Sequence, residues 1–243
     1  MELEYTVEYL GPELAACVSK EHRFGTDAFL LAYFSRARHK DLAVDLGTGC
    51  GIIPLLLYKM YRPAKVYGVE LQQQGAALFE KAISLSHLED RLFPICADLR
   101  QLWGILPADR FDLITCNPTY QRADSGFLSR EPAKKLARHE LGCTIEEVCQ
   151  AACRLLKTGG RLCLCQRPER LAYVICAMRQ SHIEPKRLRL VAKNSESVPW
   201  LFLIEGKKGA APGMTAGPTL QINGTDGFSR ELMDIYRLTD TEE

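Results

Sequence analysis

Two groups of residues in this chain carry side chains at spacings suited to chemistry. The first is the turn Asp45-Leu46-Gly47-Thr48-Gly49-Cys50-Gly51, followed nineteen residues after Gly51 by Glu70, and later by Asp98-Leu99. Glycines at alternate positions let a backbone adopt positive φ and approach a ligand closely. A carboxylate about twenty residues beyond such a turn can accept hydrogen bonds from both hydroxyls of a ribose. A dinucleotide fingerprint, G-x-G-x-x-G, would need a glycine where Ile52 stands, so the pyrophosphate-binding version does not fit. The second group, Asn117-Pro118-Thr119-Tyr120, ends the apolar run FDLITC at 111–116. Turn chemistry alone explains Asn and Pro at a strand end. Beside a nucleoside-binding turn, the same residues offer a carboxamide, a proline carbonyl and an aromatic face.

These groups need a scaffold that brings successive strand ends together. β-type runs fall at 42–46 (LAVDL), 65–70 (KVYGVE), 92–97 (LFPICA), 111–116, 161–166 (RLCLCQ), 187–192 (RLRLVA) and 198–205 (VPWLFLIE), with helical patterns between most of them. The first runs are nearly continuous in apolar residues, as parallel strands covered on both faces are. The pattern predicts an α/β fold, a doubly wound, mostly parallel seven-stranded sheet, in which Asp45, Glu70 and Asp98 close successive strands. Asp98 would then lie near the base of a bound nucleoside. A hairpin is expected at the N-terminus. "GTDAFLLAYFSRAR" reads as a helix capped by Thr26 or Asp27. The second helix should begin near Ile52, where Pro54 is tolerated in the first turn.

A chain of 243 residues with 47% hydrophobic content is read as one domain, 1–243. Within it we expect an N-terminal hairpin and helix over 1–38, a mobile segment over 121–137 and a flexible tail over 209–243. No apolar run approaches the roughly 20 residues that span a bilayer, and the acidic, alternating start does not read as an export or transit signal. Ten cysteines without a CxxC pair suggest reduced thiols in a cytoplasmic protein, and no metal is called for. Charge is uneven: residues 1–120 carry −3 and residues 121–243 carry +4. Ten Lys or Arg lie between Arg154 and Lys193, against Glu169 and Glu184, which marks 154–193 as a candidate surface for a polyanion such as RNA.

"DLGTGCG", "VYGVE", "ICADL" and "CNPTY", in this order, resemble the motifs of class I S-adenosylmethionine-dependent methyltransferases, which share a Rossmann-like sheet with an antiparallel last strand. With "HRFGTDAFLLAYF", "ARHE", "RLLKTGGRLCLCQRPERL" and "IEPKRLRLVAK", the chain is similar to the bacterial valine-tRNA adenine-N6 methyltransferases from about residue 20 to 209. The resemblance implies S-adenosylmethionine as cofactor and tRNA, at the adenine 3′ of the anticodon, as substrate. It implies that Asp45, Gly47, Gly49 and Gly51 wrap the methionine portion, that Glu70 holds the ribose, that Asp98 and Leu99 meet the adenine, and that Phe24-Gly25-Thr26 closes the pocket.

An exocyclic adenine amine is a poor nucleophile because its lone pair is delocalised into the ring. Acceptors for both N–H groups favour a more tetrahedral nitrogen. The Asn117 carboxamide oxygen would take one proton, the Pro118 carbonyl the other, and Tyr120 would stack on the extruded base. The family tetrapeptide is usually Asn-Pro-Pro-aromatic. Thr119 here restores an N–H and loosens φ, so weakened catalysis is expected. Arg138-His139-Glu140 is read as an anchor or RNA contact, since the methylated amine loses its proton with little help. Rival readings are a protein glutamine-N5 or DNA adenine methyltransferase and a non-catalytic cofactor- or RNA-binding module. The protein is expected to act as a monomer, away from membranes.

Overall fold

The computed structural model describes residues 3–118, 143–225 and 227–237. Strands β1 (Thr6–Tyr9) and β2 (Ala15–Val18) form the expected antiparallel hairpin, followed by α1 (Thr26–Ser35). The main sheet then alternates β3 (Leu42–Leu46), α2 (Ile52–Tyr61), β4 (Lys65–Glu70), α3 (Gln73–Leu85), β5 (Leu92–Cys96), β6 (Phe111–Cys116), α4 (Ile145–Leu155), β7 (Leu156–Gln166), α5 (Leu171–Gln180), β8 (Ile183–Ala192) and β9 (Leu201–Lys208). The strand order is β5-β4-β3-β6-β7-β9-β8, with β9 antiparallel to both neighbours.

Seven strands were expected, and the sheet has nine among the described residues. The two additions, β10 (Thr215–Ala216) and β11 (Leu220–Gln221), pair in parallel with the outer edge of β8. They fall in the stretch read as a flexible tail, whose described part is instead built into the fold. After the short ribbon β12 (Asn223–Gly224) and β13 (Gly227–Phe228), helix α6 (Arg230–Arg237) buries Leu232 and Ile235 completely. Full burial of side chains of this size contributes about 1.5–3 kcal/mol each. Glu231 of α6 forms a two-pronged pair with Arg189 of β8, at 2.5 and 2.7 Å. Short strands and an amphipathic turn of helix are poorly visible among Gly, Pro and polar residues, because their stability comes from the edge they cover.

Side chains alternate across the strands and set the two faces. Ala43 of β3, Leu113 of β6, Cys163 and Cys165 of β7 and Leu203 of β9 pack into one core with α1, α2 and α3. Val44, Leu46, Ile114, Cys116, Leu162 and Leu164 pack into the other with α4 and α5. By the same period of two, Asp45, Thr115 and Asn117 belong to the α1 side. α4 starts at a capping box: the Thr144 hydroxyl accepts from the Glu147 amide, and Glu147 accepts from the Thr144 amide.

Candidate active site

The strand order reverses at β3, which has β4 on one side and β6 on the other. Crevices beyond the carboxyl ends of strands at such a point are where open α/β sheets bind ligands. The glycine turn leaves β3 there, and Asn117-Pro118 leaves β6 beside it.

The three glycines have different tasks. Gly47, Gly49 and Gly51 all take positive φ, at 72°, 56° and 81°. The Gly47 and Thr48 amides both donate to the Val69 carbonyl, which anchors the turn to β4. A Cβ on Gly51 would lie 1.9 Å from the Phe79 ring, so that glycine is required by the packing of α2 against α3. A Cβ on Gly49 would meet nothing within 4 Å. Gly49 therefore opens onto free space at the mouth of the sheet.

Glu70 is buried, and both its oxygens hold backbone: Oε2 accepts from the Gly49 amide at 2.9 Å and Oε1 from the Gln72 amide at 2.8 Å. The carboxylate thus ties the glycine turn to the start of α3, and each oxygen keeps a further lone pair. Sequence reasoning passed over two neighbours. Gly75 lets α3 approach, since a Cβ there would lie about 3.0 Å from Glu70 Cγ and from the His22 ring. His22 is buried, and its Nε2 has no hydrogen-bond partner among the described residues. Neither stands in a recognisable spacing; only the fold brings them to Glu70.

Asp45 is 1% exposed and accepts a 2.6 Å hydrogen bond from the Thr115 hydroxyl. Burial pushes its carboxyl up to about 7, opposed by the Thr115 and Thr48 hydroxyls and reinforced by the charge of Glu70. Asp98 has a more local occupation. It caps the 3-10 turn Leu99–Gln101 by accepting from the Arg100 amide, and it pairs with the Arg100 guanidinium at 2.5 Å. That hydrogen bond holds the Asp98 carboxyl below its ordinary range. Leu99 is buried beneath it.

At the end of β6, the Asn117 carboxamide is gripped from two sides. Its Nδ2 donates to Asp27 Oδ2 at 3.0 Å, and the Cys165 thiol donates to its Oδ1 at 3.0 Å. Asp27 was expected as a helix cap, as was Thr26. Instead Gly25 occupies the cap position, and neither side chain caps the helix from there. The Asp27 side chain is drawn towards a residue ninety positions away. Thr26 shares a 3.0 Å hydrogen bond with the Tyr236 hydroxyl of α6, and the Phe24 ring packs tilted against Phe29, with centroids 6.1 Å apart. Pro118 is buried. Thr119, Tyr120, the 121–137 segment and Arg138-His139-Glu140 lie outside the described residues.

Five of the ten cations in the basic stretch 154–193 pair with acids. Lys157 pairs with Asp112, Arg161 with Asp41 and Glu205, Arg179 with Glu184, Arg187 with Glu205, and Arg189 with Glu231. Arg154 donates to the Leu102 and Leu106 carbonyls and stacks on Trp103. Among the described residues, no cluster of His, Cys, Asp or Glu is placed to hold a metal ion, and no helix is long and apolar enough to cross a membrane.

Residues 32–125 match the family model for the TRM5/TYW2 methyltransferase domain. Over 189 residues, the chain is 30% identical to a tRNA1(Val) (adenine(37)-N6)-methyltransferase of Porphyromonas gingivalis, covering 68% of this chain and 72% of that one. A protein of the same name from Aeromonas hydrophila is 31% identical over 144 residues, 58% of each chain. Among solved structures, a predicted O-methyltransferase from Agrobacterium tumefaciens superposes with a TM-score of 0.70 at 20% identity, covering 89% of this chain and 98% of that one. TYW2 of M. jannaschii, solved in complex with AdoMet, gives 0.57 at 13% identity, covering 85% and 87%. The two structural likenesses speak for the fold.

Proposed function

This chain belongs to the tRNA1(Val) (adenine(37)-N6)-methyltransferase family, and from that premise we propose that it methylates N6 of an adenine beside the anticodon of a tRNA. It is an S-adenosylmethionine-dependent N-methyltransferase with a Rossmann-like sheet. The observation that carries the proposed chemistry is the held Asn117 carboxamide, one strand away from the open Gly49 turn.

S-adenosylmethionine fits the residues at the end of β3. Gly49 leaves its backbone open to a ligand at close range, and His22 Nε2 is a buried polar atom without a hydrogen-bond partner among the described residues. Asp45 and Glu70 bring two carboxyl groups to one place, which favours a ligand carrying positive charge. We assign the turn Asp45, Gly47, Gly49 and Gly51 to the methionine portion, Glu70 to the ribose, and Asp98 and Leu99 to the adenine end, with Phe24 and Thr26 at the rim. Asp98 would serve there while still capping its own turn. When bound, the cofactor supplies a methyl group on a sulfonium, a carbon already activated for displacement.

The chain's own contribution is alignment. Asn117 Oδ1 and the Pro118 carbonyl accept the two N–H groups of the adenine amine and aim its lone pair at the methyl carbon, with Tyr120 as the stacking face. With the cofactor held there, the amine nitrogen so aligned would take the methyl group from the sulfonium, which would leave as a neutral thioether, and the nitrogen would release one proton to water.

For RNA, we narrow the basic stretch to the carboxyl-end rim of the sheet. Arg167 follows β7, whose Cys165 touches Asn117, and Arg170 lies over the Tyr173 ring at 4.9 Å. On the adjoining β8–β9 loop stand Lys193, Val198 at 86% exposure and Trp200 at 42%. Cations interleaved with exposed rings suit a single-stranded loop, because each stacked base contributes roughly 1–3 kcal/mol. A tRNA substrate implies a cytoplasmic setting, and a single domain acting as a monomer is the organisation we favour. The test is incubation with labelled S-adenosylmethionine and total tRNA from cells lacking the protein, followed by nucleoside analysis. Label in N6-methyladenosine is the expected result; label elsewhere, or none, overturns it.

A further inference from the structure

A carboxamide has two ends of almost the same shape, and only the oxygen accepts a proton. Rotated end for end, Asn117 would present N–H groups to the N–H groups of an incoming amine and repel it. The contact from α1 removes that ambiguity. Asp27, as a carboxylate, can only accept, so its 3.0 Å bond from Nδ2 holds the NH2 end against α1 and turns the oxygen away from it. On the opposite side, Cys165 has a thiol hydrogen to give, and it gives it to Oδ1 at 3.0 Å. A carbonyl oxygen has two lone pairs, so one that accepts from a thiol has the valence to accept a substrate proton as well.

Asp27 is itself fixed. Its Oδ1 accepts from the Ala28 amide at 3.1 Å in the first turn of α1, where the helix dipole favours an anion. Glycine at residue 25 leaves the carboxylate room in this position: a Cβ there would lie 2.9 Å from Asp27 Oδ1 and push it aside. A negative charge on the NH2 side also polarises the amide and makes Oδ1 a stronger acceptor, as linked hydrogen bonds do in a low-dielectric site.

We propose that Asp27 is a positioning residue for methyl transfer. It selects the end of the Asn117 carboxamide that faces the substrate amine, with Gly25 as the gap that admits it and Cys165 as the opposing donor. The inference rests on the reading of Asn117 as the amine's acceptor. Its test combines Asp27→Ala, Asp27→Asn, Asn117→Ala and the double variant Asp27→Ala/Asn117→Ala. Asp27→Ala should lower kcat roughly 10–100-fold while KM for tRNA and Kd for S-adenosylmethionine stay within about twofold. Asp27→Asn, which keeps an oxygen acceptor, should recover part of the loss. In the Asn117→Ala background, Asp27→Ala should cost nothing further, because the side chain it positions is gone.

A second readout does not need turnover. The Asn117 side-chain NH2 resonances, assigned by their disappearance in Asn117→Ala, should shift and exchange faster with water in Asp27→Ala. Unchanged kcat, an equal loss in both backgrounds, or unmoved NH2 resonances would each overturn the proposal. If Asp27→Ala does not fold, the isosteric Asp27→Asn carries the same measurements. A wild-type protein that methylates no tRNA would sink the functional reading instead, and the resonances alone would then decide whether Asp27 holds the amide.

Discussion

The Asp45 carboxyl accepts a 2.6 Å hydrogen bond from Thr115 across the β3–β6 seam, in a setting so buried that its acidity is displaced to about 7. An unfolded aspartate titrates at about 3.9. Between those values the native state holds a proton that the unfolded chain releases, so stability falls as pH rises. The contribution is fully present below the unfolded value and lost as pH climbs through about 7. Asp45→Asn removes the titration. We expect wild-type Tm to drop more steeply than that of Asp45→Asn between pH 5 and 8, by an amount equivalent to a few kcal/mol. Parallel curves would contradict the burial argument.

Gly49 and Gly51 should respond differently to alanine. Gly51→Ala drives a methyl group into the Phe79 ring and should destabilise the protein by several kcal/mol, seen as a large loss of Tm. Gly49→Ala meets open space and bears mainly the strain of positive φ, about 1–2 kcal/mol. Its larger effect should be on cofactor affinity, measured by calorimetry. Equal thermal losses with unchanged affinity would refute the division of labour.

The rim assignment predicts that Lys193→Glu and Arg170→Glu weaken RNA binding and make the slope of log K against log salt shallower by about one per charge removed. Trp200→Ala should weaken binding by about 1–3 kcal/mol with the slope unchanged. Reversing Arg189, which Glu231 already neutralises, should act through stability instead. A filter-binding series in salt separates the three outcomes.

Thr119→Pro restores the second proline of the usual tetrapeptide. With φ locked, the chain after Pro118 loses freedom, and kcat should rise. Single-turnover rates on tRNA check this; a constant or lower rate would remove the explanation based on rigidity.

The strands were legible because parallel strands buried on both faces leave continuous apolar runs, and the glycine turn was legible because positive φ at alternate positions has few other solutions. What stayed hidden depended on partners far apart in sequence. Asp27 reads as a cap until Asn117, ninety residues on, is folded against it. Cys165 reads as a small apolar residue until its thiol meets the same amide. Of the ten cations in 154–193, five meet acids that the sequence does not place beside them as partners. Asp98 stood at the expected strand end, yet Arg100, two residues away, had already engaged it.

The last helix has a reach that its position does not suggest. Tyr236 bonds to Thr26 and lies edge-on to Phe29 at 4.9 Å, bracing the turn that carries Asp27. A protease cut near residue 209, or a shortened gene made for convenience, would leave every reacting atom in the polypeptide. It would also unfasten the strut behind the residue that aims them, and a truncated enzyme could bind its cofactor normally yet turn over slowly.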